Sequence, residues 1–280
     1  MRTLLSRAAS ESRPLVMGVL NVTPDSFSDG GRFVDGPSWR ARIDGMLEEG
    51  VDIIDVGGES TRPRAPSVPA TEQMARVLEP IRWAARERGA VVSVDTTEPA
   101  VAAAALDAGA AIVNDVSCLA DPELARVAAS ARAVLVIMHS RGPMASMPGF
   151  SVAAEDAYAD VVSDVAHALG DARGRAVAAG VPQGDVWLDP GLGFHKSAAH
   201  SYALLRSLST LVALGAPVVV GASRKSFLAR DVAAEPADRI GGSIAAALAA
   251  ARAGASVLRV HDVRATRQAL AVDAAIRGGP

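Results

Sequence analysis

The sequence predicts a single-domain α/β protein, a (β/α)8 or TIM barrel, and three observations carry that expectation. Eight short β-branched runs recur along the chain, each apolar throughout rather than alternating, as strands buried on both faces are. Longer, alanine-rich amphipathic stretches separate them. From the first run to the last the mean spacing is about 34 residues, the length of one βα unit. This spacing is too uneven for a solenoid, and no Pro/Gly/Ser-rich linker divides the chain. A doubly wound open sheet is the competing architecture.

In chain order, strands are expected over residues 15–20, 52–56, 91–94, 111–114, 133–138, 186–188, 217–220 and 256–260. Between the second and third, Met74, Val77, Leu78, Ile81 and Ala85 mark one face of a helix over 71–88, which Pro80 should kink. A longer helix is expected over 153–180, opening with Glu155 and Asp156, acids that suit a helix N-terminus. The pattern repeats over 238–254 and 263–277. Residues 1–14 carry Arg2, Arg7, Glu11 and Arg13 and lack the continuous apolar core of a signal peptide. They read as a flexible lead-in to a barrel over 15–280.

The composition narrows the function. Of the 280 residues, 50% are hydrophobic and 21% charged, the balance of a globular protein. A net charge of −3 gives no electrostatic footprint for nucleic acid or an anionic membrane. The longest apolar stretches, 244–251 and 133–138, fall far short of the roughly 18 residues that span a bilayer. The single Cys118 excludes an internal disulfide framework and a multi-cysteine zinc site, and it suits a reducing cytoplasm. The phosphate-binding loop, dinucleotide fingerprint, nucleophile elbow and zinc-helix motifs are all missing.

In a barrel of this kind the active site lies where strands end. Here every strand delivers polar or ionisable groups at that end: Asn21 after the first, Glu59, Ser60, Thr61 and Arg62 after the second, Asp95 and Thr96, Asn114 and Asp115, and Met138 and His139. Asp189, then Ser223, Arg224 and Lys225, then Arg259, His261 and Asp262 complete the ring. Each has a plain structural alternative: Asp115 and Asp262 could cap helices, and Pro24 and the glycines could make turns. His167 and His200 read as surface residues, and Cys118 as structural. His195, beside the sixth strand's loop, stays open. The coincidence of eight such ends favours a functional site.

These strand ends closely resemble dihydropteroate synthase, a pterin-binding barrel family. Met-Gly-Val-Leu-Asn-Val-Thr-Pro-Asp-Ser-Phe-Ser-Asp-Gly-Gly at 17–31 matches the family's first loop, and Asp-Val-Gly-Gly-Glu-Ser-Thr-Arg-Pro at 55–63 its second. The segments 93–96, 114–117, 189–194, 223–225 and 259–262 follow in family order. Cys118-Leu119 and His195 depart from the small residues common at those places, and 140–150 matches loosely.

The resemblance implies condensation of a dihydropterin methyl diphosphate with 4-aminobenzoate, giving dihydropteroate and diphosphate. Asp189 would accept the pterin's paired N–H donors, as carboxylates accept guanidinium. Asp95, Asn114 and Lys225 would meet other ring heteroatoms, with Met138 and Phe194 as apolar contacts. Asn21 would offer an oxygen to Mg²⁺, while Arg259, His261 and Thr61 hold the diphosphate substrate. Phe27, Arg62, Pro63, Ser223 and Lys225 would form the 4-aminobenzoate pocket, where sulfonamides compete. Asp29 and Asp95 would stabilise a methylene cation left by departing diphosphate, with Lys225, Arg259 and His261 completing the catalytic set. A homodimer is implied as well. All five phenylalanines (Phe27, Phe33, Phe150, Phe194 and Phe227) follow strands, which reads as rings reserved for flat ligands. The alternatives are a folate-dependent methyltransferase-type barrel, which needs no diphosphate ligands, and a non-catalytic paralogue, which should lack some of Asp95, Lys225, Arg259 or His261.

Overall fold

Eight parallel strands form one sheet in the order β6-β5-β4-β3-β2-β1-β8-β7 in the computed structural model. It describes residues 13–22, 36–59, 67–142 and 149–278, with Leu5, Glu11 and Met147. The strands are β1 (Leu15–Asn21), β2 (Ile53–Gly57), β3 (Val92–Asp95), β4 (Ile112–Asp115), β5 (Val134–Met138), β6 (Val186–Asp189), β7 (Val219–Val220) and β8 (Val257–Val260). The helices among the described residues are α1 (Gly36–Glu48), α2 (Ala70–Arg82), α3 (Pro99–Ala108), α4 (Glu123–Ser130), α5 (Val161–Ala178), α6 (Ala198–Arg206), α7 (Leu208–Val212), α8 (Ile240–Arg252) and α9 (Val263–Ile276). A bridge between Leu188 and Val218, with Leu188 N donating to Pro217 O at 2.9 Å, closes β6 onto β7. The sheet is therefore a barrel. Val219–Val220 pair with β8, and Val218 O also accepts from Ser256 N at 2.8 Å and Val257 N at 3.1 Å, so Val218 contacts strands on both sides.

Side chains alternate along each strand, and the barrel sorts them into two cores. Val16, Leu20, Ile54, Val94, Leu135, Ile137, Leu188 and Leu258 face outward and pack with helix residues such as Ile43, Met46, Val77, Ile81 and Leu169. The intervening positions, Leu15, Met17, Ile53, Ile112, Val134, Val136, Trp187, Val219 and Val257, form a separate cluster that plugs the barrel. Two residues further along the same inward rows come Asp55, Asn114, Asp189 and Arg259. The period of a strand thus carries the chain from an apolar plug to a polar mouth.

Several local expectations change. The helix expected over 153–180 begins at Val161, because the Asp160 carboxylate caps it, accepting from Val162 N at 2.9 Å and Ser163 N at 3.3 Å. Glu155 and Asp156 lie in a 3₁₀ turn before that cap. Pro80 sits within α2 without ending it; the irregularity is a π turn over Trp83–Glu87 immediately after. His167 is on the surface as expected, but His200 is buried: its Nδ1 accepts from Ser197 N at 3.1 Å while Ser197 Oγ caps α6. Phe227 serves the core rather than a ligand, packing edge-on to Tyr202 at 5.4 Å. Arg13, expected in the lead-in, pairs through both terminal nitrogens with Asp52 at 2.7 and 2.9 Å, and Asp52 also accepts from Val16 N. No helix among the described residues is long and apolar enough to cross a membrane.

Trp187 is the largest fully buried side chain and the centre of the plug. Trp187→Ala should lower unfolding stability by ~3–5 kcal/mol, read from a urea midpoint. Trp187→Phe should cost far less, since it removes an indole N–H that has no partner among the described residues.

Candidate active site

The mouth is organised by one guanidinium between two acids. Arg259 on β8 donates from Nε to Asp55 Oδ2 at 2.7 Å and from Nη2 to Asp95 Oδ2 at 2.8 Å. Asp55 Oδ2 also accepts from Asn114 Nδ2 at 3.2 Å, so β2, β3, β4 and β8 are joined across the barrel. Register explains the meeting: Asp95 lies opposite both Gly57 and Asn114, and Asn21 lies opposite Gly57. Gly57 and Gly221 keep the mouth open. A Cβ at Gly57 would lie 3.5 Å from both Asn21 Oδ1 and Asp95 Cβ, and one at Gly221 would lie 3.9 Å from Asp189 Oδ2.

Burial sets the charges here. Burial by itself would lower Arg259, but Asp55 and Asp95 outweigh it and hold the guanidinium above its ordinary range. Burial raises Asp95 to about 7 against the pull of Arg259, with Asp55 and Asp115 adding to the rise. Asp189 is raised by burial too, opposed by Lys225, the Gly191 N–H, Arg259 and Lys196. Lys225 is lowered by burial to about 7. His261 is lowered to about 3 by burial and by Arg259 and Arg224, so it is neutral at pH 7. Ser223 Oγ accepts from His261 N at 3.1 Å and lies 3.1 Å from Nδ1. With the serine hydroxyl donating to Nδ1, the imidazole keeps its hydrogen on Nε2.

The loop after β6 shapes the other side. Asp189 Oδ1 accepts from Gly191 N at 2.7 Å, and among the described residues no donor is bonded to Oδ2. Gly191 is at φ +63°, and a Cβ there would stand 2.1 Å from His139 O, so no side chain fits. Met138 lies opposite Asp189 and joins Phe194, Val116 and Met147 in a small apolar cluster, with Phe150 edge-on to Phe194 at 5.2 Å. Lys225 bridges both surfaces: Nζ donates to Leu192 O at 2.6 Å and stands 4.4 Å from the Phe194 ring centre. A further cleft of about 540 Å³ opens at the β1/β8 rim, lined by Asn21, His261, Arg42, Arg224 and Arg264 among others. There Arg42 on α1 donates to His261 O at 2.7 Å, and Arg224 forms a two-nitrogen pair with Asp262.

Of the residues expected from sequence, Asp95, Asn114, Met138, Asp189, Phe194, Ser223, Lys225, Arg259, His261 and Asn21 come to this one end of the barrel. Phe27, Asp29, Thr61, Arg62 and Pro63 lie outside the described residues. Asp115, weighed as a helix cap, instead folds its own loop, accepting from Ser117 N at 2.9 Å and from Leu119 N. Asp55 opens the motif at 55–63 but was given no role of its own; it is a buried acid whose signal was its place in the middle of an apolar strand, Ile-Ile-Asp-Val. Sequence reasoning also passed over Gln73, buried on α2, which donates to Glu59 Oε2 and Val68 O at 2.9 Å and accepts from Thr96 Oγ1 at 3.1 Å. That network ties both flanks of the second loop to β3.

A barrel whose mouth holds buried acids, an amide, two cations and an apolar shelf defines a class that binds a flat polar heterocycle. The pterin binding enzyme family matches residues 17–261, and the chain belongs to that family. It is 45% identical to the dihydropteroate synthase of Mycobacterium leprae, over 95% of this chain and 94% of that protein. It is 46% identical over 89% of its length to a probable bifunctional folylpolyglutamate synthase/dihydropteroate synthase of Haloferax volcanii, of which it spans 29%. A solved Xanthomonas albilineans dihydropteroate synthase with 4-aminobenzoic acid superposes with a TM-score of 0.86 at 41% identity, covering 96% of this chain and 95% of that one.

The depressed His261 gives a direct check. Its folded pKa lies below the ordinary 6.5, so acidification protonates this imidazole in the unfolded chain before the folded one. Its ring resonance should stay unshifted from pH 8 to pH 5 by NMR, with a lost resonance in His261→Gln making the assignment. A titration near pH 6.5 would contradict the burial argument.

Proposed function

We propose that the chain condenses (7,8-dihydropterin-6-yl)methyl diphosphate with 4-aminobenzoate, releasing diphosphate and forming 7,8-dihydropteroate. The observation that carries this reading is Asp189, a buried acid with an unbonded Oδ2 beside the Met138/Phe194 shelf. A carboxylate so placed accepts the adjacent ring N–H and exocyclic N–H of a pterin in parallel. Asn114 and Asp95 then meet the remaining ring heteroatoms, and Lys225 an acceptor. Asp95, Lys225, Arg259 and His261 are all in place, against the expectation for a non-catalytic paralogue.

In the reaction the carbon–oxygen bond to diphosphate breaks, the arylamine nitrogen bonds the methylene carbon, and the amine gives up a proton. Arg259 uses Nε and Nη2 on Asp55 and Asp95, which leaves Nη1 to meet phosphate oxygen, and neutral His261 offers its Nε2–H. Both stabilise charge that grows on the leaving group. Asp95, beside the mouth, balances positive charge on the methylene carbon, as Asp29 does from the first loop. An arylamine is largely unprotonated at neutral pH, so no strong base is needed. Ser223 and Lys225 hold the 4-aminobenzoate, together with Phe27, Arg62 and Pro63; Thr61 joins the diphosphate contacts.

The donor set fits magnesium carried mainly by the diphosphate. Asn21, whose Oδ1 faces Gly57, would offer the ion one hard amide oxygen. When bound, the ion neutralises the diphosphate's charge. The lone cysteine supports a cytoplasmic enzyme, and the exposed Val272 and Ile276 on α9 support a homodimer through the barrel helices.

A coupled assay should detect diphosphate release that needs both 4-aminobenzoate and Mg²⁺, with competition by a sulfonamide; no release from the pterin diphosphate would refute the reading. Asp189→Ala should abolish pterin binding by calorimetry, and unchanged affinity would remove its assigned role. Asp29→Ala should reduce kcat more than it changes KM.

A further inference from the structure

Lys196 is the one fully buried lysine among the described residues, and it does not reach the mouth. Its Nζ lies 2.9 Å from His139 Nδ1, 3.0 Å from Gly191 O, 3.1 Å from Phe194 O and 3.4 Å from His139 O. All four acceptors are neutral, and no described carboxylate is hydrogen-bonded to the ammonium. Burial and the nearby Lys196 push His139 down to about 2, so the ring is neutral, and in the tautomer with its hydrogen on Nε2 the Nδ1 accepts from the lysine. A buried cation held without an ion-pair partner is costly unless its hydrogens are all bonded. Here three hydrogens meet a cage of four acceptors.

The cage belongs to the site's frame. His139 follows β5, and Gly191 and Phe194 lie in the loop after β6. The same loop supplies the Phe194 ring and the Leu192 carbonyl that holds Lys225. His195 takes φ +48°, a left-handed turn that brings Lys196 back beneath the Phe194 carbonyl. The charged and titratable groups facing Lys196 are His139 and Arg141 after β5, Asp189 on β6, Lys225 after β7, Cys118 after β4 and the adjoining His195. Of these Lys225 and Arg141 oppose the ammonium, while Asp189 and Cys118 favour it; Gly191, whose carbonyl Lys196 holds, donates its N–H to Asp189 Oδ1 at 2.7 Å.

We propose that Lys196 is a positioning residue of the pterin site, an embedded ammonium that clamps the loop after β6 and helps keep Asp189 in its carboxylate form. The assignment rests on the pterin reading above. Two effects follow from one group: the carbonyl clamp fixes Phe194 and Leu192, and the positive charge favours the ionised acid that must accept two N–H donors. Because burial lowers Lys196 to about 7, both effects weaken as pH rises through that value and the ammonium loses a hydrogen.

The test is the affinity of 6-hydroxymethylpterin by calorimetry from pH 5 to pH 8, in the full chain and in Lys196→Met. The variant should bind at least ~10-fold more weakly at pH 7. Its affinity should also begin to fail at higher pH on acidification than that of the unaltered protein, since Asp189 loses a neighbouring cation. Lys196→Arg should keep the unaltered protein's acid limb. Equal affinity in Lys196→Met, or weaker binding with an unmoved acid limb, would overturn the electrostatic role. Should Lys196→Met not fold, Lys196→Gln is judged by the same two readings. An unaltered protein that binds no pterin would refute the pterin reading itself. Hydrogen exchange at residues 191–195 then still decides the clamp: faster exchange in the variant supports it, and unchanged exchange overturns it.

Discussion

The Arg259 guanidinium suspended between Asp55 and Asp95 is the constraint on which the mouth depends. Two buried acids that repel each other are tolerable here because the one guanidinium bonds to both and offsets their loss of water. Arg259 cannot relax toward a ligand without abandoning an acid, so its remaining nitrogen is held in a set direction. Asp55 in turn orients Asn114, which carries the order of the triad to β4. One interaction therefore sets the geometry of four strand ends, and Arg259 opposes the burial that raises Asp95 to about 7.

Beside the triad, the loop after β6 is held by two lysines as well as by the Asp189 carboxylate on Gly191 N. Lys225 faces the mouth, over Phe194 and bonded to Leu192 O, while Lys196 lies behind it in a cage of carbonyls and a neutral imidazole. The two repel each other and both lie near Asp189, which gathers attraction from each. A carboxylate buried this deeply would drift toward its protonated, donor form without such neighbours. Acids and cations are thus paired across the barrel rather than along any one strand.

Most of the fold was legible in the sequence because burial on both faces forces continuous apolar runs, and a run of four to seven such residues has few other uses. The recurring βα spacing then admits a barrel. Helix 161–178 shows where local reading fails. Glu155 and Asp156 satisfy the charge preference of a helix start, yet Asp160, with a side chain that reaches the Val162 and Ser163 N–H groups, decides it. His200 misled for a related reason: a histidine near a helix start looks exposed until the capping bond to Ser197 is seen. Phe227 likewise shares the position of a ligand-facing ring and serves the core.

The sequence by itself determined the strands, their polar ends and, through the loop motifs, the family expected for the chain. These are properties of neighbouring residues, and residue type with local spacing suffices to express them. Tertiary structure alone decided which groups meet. Asp55 and Arg259 are 204 positions apart, and Lys196 and His139 are 57 apart. Whether a charged group is a ligand contact, a counter-ion or a clamp depends on the acceptors that the closed barrel brings to it. Closure also fixes how deeply each group is buried, and burial is what moves Asp95, Lys225 and His261 from their ordinary ionisation.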